Sequence, residues 1–575
     1  MKNPLKKRGQ KIIRRFSRTA DKVQEEGKEH IKQNFVKRLS RIANIKILIV
    51  EWVLLVAALI LLAITQSVWS GNSYTKNTYV SGGTYTEGTI GKVTSLNPLF
   101  ATTSSEKTLS RLLFSTLSTI DFAGQTGFGL AKNIVAKDDG KVWTVTIKDN
   151  LKWSDGEPIT KEDVYFTARL IQNAAVSTIY DTNLAGVKIE LGENEVVFTL
   201  PAAYADFVSA LNFPILPEHI LKDADPKTIV EHEFSTSPVT SGAFTVNAIQ
   251  NANTEKTFYL SANPHYYKGK PMLNTFVVHT YADKASLISA MSAGSITATA
   301  ELSAIDAESV DSNKFYKKDS SINYGVFAIL NTTSSSLKNK DLRTAIRRGI
   351  DVNELRALVP NTTPLDFPLL TSQIQLNKYP EIPAQNIEAA KAKVAELKGE
   401  GKIMLNLVTT DTGYLPILAG TLTRQLQNLG FEVNLSIEPE GQDFITNTIP
   451  KRNYDILLYE IELGADPDLL TYYHSSQATS SGLNLSNYTN SLVDDALLAA
   501  RETTNKDLRT KKYETFLEYW TADVPAIGIY QSNLTYFYNK NVRTFENDVR
   551  LVSPTDRFVD VSSWAVNKAD KNQTP

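Results

Sequence analysis

Four carboxylates crowd into one short stretch, residues 459–468, which reads YEIELGADPD. Alternation along an extended chain sets Glu460 and Glu462 on one face and Ile461 and Leu463 on the other. Carboxylates so placed repel each other unless water or a cation faces them. The segment therefore reads either as a solvated charged surface or as a place where a bound cation is neutralised. Other suggestive spacings fall short of a catalytic constellation. Ser104-Ser105-Glu106-Lys107 satisfies Ser-x-x-Lys, but no Lys-Thr-Gly occurs to complete a penicillin-binding-type site, and it reads as a first helical turn. Gly88-Thr89-Ile90-Gly91-Lys92 is followed by Val93 where a phosphate loop needs Ser or Thr. There is no Gly-x-Ser-x-Gly and no His-Glu-x-x-His, and the histidines at 30, 219, 232, 265, 279 and 474 include no i, i+4 pair. Neither catalysis, a preformed metal cage nor a cofactor is expected.

The elements that must position such residues are mixed. Strand patterns fall at residues 142–147, 195–200, 257–260, 275–281, 324–330, 403–408, 432–437 and 455–463. Helix patterns fall at residues 104–116, 161–173, 342–348, 384–397, 415–429 and 504–520. The helix at 161–173 has a local start signal: Thr160 is its N-cap, Asp163 stands at N3, and Val164 and Phe166 follow. Alternating strands and helices imply α/β layers, and 575 residues are too many for one core.

Residues 47–65 form an apolar run, broken only by Glu51 and long enough to cross a bilayer as a helix. Trp52 and Trp69 flank it at interfacial positions. Residues 1–46 carry fifteen Lys/Arg against four Asp/Glu, a formal charge of +11. That excess predicts a cytoplasmic N-terminus and an extracytoplasmic remainder, single-pass in the cell membrane. Cleavage as a signal peptide competes with retention, but Val68-Trp69-Ser70 is a poor small-residue site and the basic region is long. A retained anchor is expected. Ile31, Phe35, Leu39 and Ile42 share one helical face, so the tail reads as a basic amphipathic helix on the inner leaflet or as a solvated topogenic tail. Nucleic-acid binding is not expected, since the charge abuts a membrane span without interleaved aromatic motifs. Residues 70–83, rich in Ser, Gly, Asn and Thr, read as a flexible spacer. The chain has no cysteine, which excludes disulfides and a lipid-bearing thiol.

Wording adds what periodicity cannot. Trp153-Ser154-Asp155-Gly156-Glu157-Pro158-Ile159-Thr160, with Asp163-Val164, closely resembles the signature of peptide/nickel-type (family 5) extracellular solute-binding proteins, the ligand-capturing subunits of ABC importers. Further segments resemble that family in order: Leu96-Asn97-Pro98, residues 214–220 (PILPEHI), residues 238–244 (PVTSGAF, with altered Gly/Pro positions) and residues 263–271 (NPHYYKGKP). Asn331-Thr332, Asp341 to Ile346, Ile350-Asp351, Asp466-Pro467-Asp468, His474-Ser475-Ser476-Gln477 and residues 523–527 (DVPAI) continue the match, which spans roughly residues 82–565.

The resemblance implies a two-lobed α/β fold of the periplasmic-binding-protein type (type II, large peptide-binding class), here behind an N-terminal transmembrane helix. It implies a first lobe of residues 83–323 plus 525–575, with a subdomain at about 114–228, and a second lobe of residues 324–524, after a tail (1–46), a span (47–66) and a spacer (67–82). It implies a monomer that closes around an oligopeptide and hands it to ABC permease subunits. A sensor or scaffold reusing the fold, or a receptor for a sugar, nickel chelate or opine, are the alternatives. Ligand contacts are expected at loop and strand ends facing the cleft. Candidates are Asn97, Thr102, Thr103 and Ser104, which could equally be turn and cap residues; Tyr324, on a strand whose Phe327 reads as core; and Glu462 with Asp466. Related peptide receptors place an acidic residue three positions before the Asp-Pro pair to hold the peptide's α-ammonium. Here that position is Leu463, which leaves Glu462 as the nearest carboxylate and Asp466 as a second candidate or a simple turn cap.

Overall fold

A computed structural model describes residues 46–572 apart from 122, 177, 179, 181–183, 253, 254, 440, 442 and 546–549. The basic tail up to residue 45, with the helix expected at 31–42, lies outside the described residues. Two compact units result: Met1–Thr78 with Lys568–Pro575, and Tyr79–Asn567.

In the first unit one helix, Lys46–Tyr74, contains the apolar run. At 1.5 Å per residue its 29 residues exceed the roughly 30 Å of a bilayer core. Every side chain along Ile49–Ser67 is exposed, so no protein core claims this apolar surface. The expected spacer is different in the structure. The helix runs on to Tyr74, and a strand, Thr75–Val80, pairs with Asn567–Asn572. β-Branched Thr75, Thr78 and Val80 with Tyr79 outweigh the small polar residues there.

The second unit is organised by an 11-stranded mixed sheet. At one end Met404–Thr410 runs parallel to both Glu432–Glu438 and Ile456–Glu462. At the other, Thr84–Ile90 runs parallel to Thr275–Tyr281, which is followed by the hairpin strands Glu255–Ala262 and Phe244–Ala252. Two long antiparallel strands in the middle, Phe315–Leu330 and Ala526–Asn539, belong to both ends. Ile322, Leu534 and Tyr536 pack into the core built on Thr84–Ile90. Val326, Ala328, Leu330, Ile527 and Ile529 pack on one face of the far end, while Phe327, Ile329 and Ala526 pack on the other. That alternation follows the two-residue period of a strand buried on both faces. The sheet thus has two halves with separate cores, and both chain crossings fall inside strands. Residues 526–530 accordingly pack with the second half, where the resemblance set the return to the first lobe at 525.

Register breaks at this junction. Ser321 still pairs with Asn533, the next pair is Gly325 with Gln531, and Ile322, Asn323 and Tyr324 have no ladder partner on that side, where the Gln531 side chain donates to the Ile322 carbonyl at 2.9 Å instead. A separate four-stranded antiparallel sheet of Ala131–Lys137, Val142–Ile147, Val196–Thr199 and Lys188–Leu191 is backed by the helix Lys161–Ile171. The signature residues serve this packing. Trp153 is fully buried, and Asp163 accepts the Thr160 N–H at 2.7 Å, the Glu218 N–H at 2.8 Å and the Trp153 indole at 3.4 Å. Helices 284–293, 352–357 and 491–502 are additions to the elements read from the sequence.

Candidate ligand-binding site

Strand pairing decides where Glu462 sits. Ile456–Glu462 runs antiparallel to Phe315–Leu330 with Glu462 directly opposite Tyr324. Opposed residues share one face at about 5 Å, which lets long side chains meet. Tyr324 Oη donates to Glu462 Oε2 at 2.9 Å, and Tyr472 Oη donates to the Glu462 main-chain carbonyl. Ile461 and Leu463 are buried on the opposite face, as the alternation requires. Glu460, on the Glu462 face, accepts a hydrogen bond from Ser532 Oγ.

The strand end is pinned from below. Leu463 N–H donates to the Asn323 carbonyl at 2.7 Å, and Asn323 Nδ2 donates to the Gly464 carbonyl at 2.7 Å. Gln373 Nε2 reaches the Leu463 carbonyl at 2.7 Å and that of Gly464 at 2.9 Å. Gly464 turns the chain with φ of +71°, a left-handed conformation that costs glycine least. Three neutral donors therefore hold the backbone and leave the carboxylate its charge.

Glu462 is reachable by water yet surrounded by protein, the condition of a group on the floor of a cleft. This enclosure pushes its carboxyl above the usual range; Lys107 and the Tyr324 hydrogen bond oppose the rise, and Asp556 adds to it. Lys107 and Tyr180, whose hydroxyl is raised by burial and then by Glu462, come from the first half. The site thus draws on both halves of the sheet. Among the described residues no cation forms an ion pair with Glu462, whereas Arg509 donates twice to Asp466, once at 2.6 Å, and Arg501 lies 2.8 Å from Asp468.

A second meeting of the halves lies beside these pairs. Ala205 N–H donates to the Arg501 carbonyl at 2.8 Å, and the Arg501 guanidinium stands 4.4 Å from the centre of the Tyr204 ring. Asp206 beside them has its carboxyl pushed up to about 7, first by burial and then by Asp466, with Ser209 and Arg509 opposing and Asp468 adding.

The remaining expected contacts lie elsewhere. Asn97 is buried and caps the turn Pro98–Phe100 through an acceptor bond from Leu99 N–H at 3.2 Å. Thr103 caps the helix Ser104–Leu113, accepting the Glu106 N–H at 3.2 Å. Glu106 returns the contact: its carboxylate accepts Thr102 N–H at 3.1 Å and Thr103 N–H at 3.2 Å. Ser104 Oγ donates to Glu301 at 2.6 Å. The structure brings Tyr324 and Glu462 together, sets Asp466 in its own ion pair, engages Asn97, Thr102 and Thr103 in local structure, and ties Ser104 to the distant Glu301. Sequence reading missed Tyr180, Tyr472, Lys107, Tyr204 and Asp206. A high tyrosine count, 24, was the only trace of the three tyrosines.

A two-core α/β sheet with an acidic group where its halves meet is an arrangement suited to holding a solute. Comparison with known proteins agrees. The profile of bacterial extracellular solute-binding proteins, family 5 (middle region), matches residues 127–482, and the chain belongs to that family. It is similar to the oligopeptide-binding protein AppA of Bacillus subtilis, 26% identical over 508 residues, 84% of this chain and 92% of that protein. The structure of Bacillus subtilis AppA in complex with a nonapeptide matches with a TM-score of 0.72 at 22% identity, covering 85% of this chain and 100% of that one. NikZ from Campylobacter jejuni, in complex with Ni(L-His), matches with a TM-score of 0.73 at 21% identity, covering 84% and 99%. At these identities the two structures speak for the fold alone.

Proposed function

We propose that this chain is a membrane-anchored, extracytoplasmic substrate-binding protein of an ABC importer, which captures oligopeptides between its two lobes and presents them to permease subunits. The observation that carries this reading is Glu462. A carboxylate without an ion-pair partner among the described residues, fixed by Tyr324 at a strand end and acted on by Lys107 from the other half, suits a ligand ammonium. Enclosing either charge alone costs several kcal/mol, so a free peptide N-terminus and this carboxylate each supply what the other lacks. AppA, similar over most of both chains, is named for oligopeptide binding, which favours a peptide over other solutes. The apolar helix with its basic flank supports the anchor.

Replacing Glu462 with Gln keeps the size and removes the charge. Affinity for a free peptide, measured by calorimetry, is expected to fall by roughly 2–5 kcal/mol, the range for truncating one partner of a desolvated charge pair. Acetylating the peptide N-terminus should weaken wild-type binding similarly and the variant little further. If Asp466→Asn weakens binding and Glu462→Gln does not, the ammonium site is at Asp466. Indifference to both changes would refute the peptide reading and favour a solute without an amine at this end.

A further inference from the structure

We propose that Tyr204, Ala205 and Asp206 of the first half and Arg501 of the second form a clasp that holds the two halves together through protein groups alone, and that a proton on Asp206 decides whether the clasp is shut. The clasp concerns the halves themselves and does not rest on the peptide reading above.

The two sides of the clasp are rooted in separate cores. On the first half, Tyr204 N–H donates to the Gly140 carbonyl at 3.1 Å, and the Tyr204 ring meets Phe207 edge-on with centroids 6.3 Å apart. Phe207 is fully buried against Trp143 and Phe198 in the core of that half. On the second half, Arg501 lies in the last turn of the helix Ser491–Glu502, whose Val493, Ala496, Leu497 and Ala500 are buried in a core of their own. Two direct contacts join these roots. Ala205 N–H donates to the Arg501 carbonyl at 2.8 Å, one of the final carbonyls that a helix leaves without an internal partner. The Arg501 guanidinium lies over the Tyr204 ring, 4.4 Å from its centre, where the electron-rich face attracts a cation.

Charge is out of balance at this contact. Arg501 pairs with Asp468 at 2.8 Å, and Arg509 donates to both oxygens of Asp466, one of them at 2.6 Å. The other donors of Arg509 are taken as well, Nε by the Ala500 carbonyl at 3.1 Å and Nη2 also by Tyr513 Oη at 3.4 Å. Asp206 is thus a third carboxylate beside two cations that each already hold one. Burial and then Asp466 push its carboxyl up to about 7, Ser209 and Arg509 oppose the rise, and Asp468 adds to it. Tyr204 remains a neutral phenol, since burial and then Asp468 raise its hydroxyl.

Asp206 stands on the first half, whereas Asp466, Asp468, Arg501, Arg509 and Tyr513 all stand on the second. A proton lost from Asp206 therefore sets a negative charge on one half against Asp466 and Asp468 on the other, and the like charges push the halves apart. With the proton in place, the main-chain hydrogen bond and the cation–ring contact act unopposed. The clasp is shut in mild acid and loosened in mild alkali.

The chain has no cysteine, so one spin label can be placed on each half through Lys188→Cys in the strand Lys188–Leu191 and Lys511→Cys in the helix Lys506–Asp523, both at exposed positions. Pulsed electron paramagnetic resonance on exhaustively dialysed full-length protein in detergent then reads the distance between the halves at pH 6 and pH 9. The otherwise wild-type chain should give one short distance at pH 6, and most molecules should shift to a longer one at pH 9. Asp206→Asn, which keeps the size and removes the charge, should hold the short distance at both. Arg501→Gln should give the longer distance at both. Tyr204→Leu, which keeps an apolar side chain and removes the ring face, should also open at pH 6 and replaces Arg501→Gln if that variant folds poorly. Equal wild-type distances at the two pH values, or a pH response that survives in Asp206→Asn, would overturn the proton control. A short distance at pH 6 in both Arg501→Gln and Tyr204→Leu would overturn the clasp itself.

Discussion

Asp206→Asn is expected to make the protein more stable at pH 8 while changing it little near pH 4. Asp206 belongs to the segment 204–206, where the first half meets Arg501 of the second through a main-chain hydrogen bond of 2.8 Å and a cation–ring contact of 4.4 Å. Its carboxyl faces Asp466 and Asp468, with Arg509 and Ser209 on the favourable side. An ordinary aspartate titrates near 3.9, and burial with Asp466 pushes this one up to about 7. At about 1.4 kcal/mol per tenfold change, the full displacement is worth roughly 4 kcal/mol, an upper bound. Asp206 is partly open to water, and screening reduces that to about 1–2 kcal/mol. The direction follows from proton binding. Below about pH 3.9 the carboxyl is protonated folded or unfolded, and it costs nothing. As pH rises towards 7 the unfolded chain ionises while the folded chain keeps its proton, so the cost grows and is complete above 7. Asparagine has no charge to lose and removes this slope. Urea unfolding of wild type and variant at several pH values from 4 to 8 measures it. A variant that is less stable at every pH, or whose stability parallels the wild type's, would mean that Asp206 acts as a structural acceptor and that the titration argument is wrong.

Two further outcomes are expected. Arg557 donates to Glu87 at 2.9 Å with both side chains buried, and Tyr536 donates to the other oxygen at 2.7 Å; Arg557→Leu strands a buried carboxylate and should cost about 3–5 kcal/mol in urea unfolding, most of it recovered by adding Glu87→Gln. Full-length protein should stay with membranes through high-salt and alkaline washes while a chain beginning near Gly82 is soluble and folded; recovery from cells of mature protein beginning near Gly71 would identify a signal peptide instead.

What was legible in the sequence was what short range decides. The Thr160–Asp163 cap and the two faces of residues 459–463 follow from neighbours along the chain, and the structure reproduces them. The same local logic left the choice open where one residue type serves two ends: Thr103 reads equally as a ligand contact or a cap, and the structure uses it as the cap of its helix. The spacer failed because composition alone was weighed, whereas the helix upstream and Asn567–Asn572 far downstream set its conformation. The cleft was largely hidden. Tyr180, Lys107 and Glu462 come from distant parts of the chain, and only the pairing of Phe315–Leu330 with Ile456–Glu462 reveals that Tyr324 stands opposite the carboxylate.

That pairing also sets Glu462 and Tyr324, the proposed ligand contacts, at the junction of the two halves. Phe315–Leu330 passes from one core to the other, and its register against Ala526–Asn539 breaks between Ser321 and Gly325. The break takes Ile322, Asn323 and Tyr324 out of the ladder with that strand, and two of these three touch the 462–464 segment: Tyr324 through the Glu462 carboxylate and Asn323 through the Gly464 carbonyl. Just beyond, Gly325 admits no side chain, since a Cβ there would come within 2.5 Å of Leu365 and 2.6 Å of the Phe327 ring. The strand is thus loosened on one side of Tyr324 and packed tight immediately after it. A cation arriving at Glu462 acts on Tyr324, the residue at which the chain changes cores. The proposed ammonium contact and the register break between the halves therefore share the same few residues, so a charge change at position 462 and a packing change at position 325 should both reach binding through Tyr324.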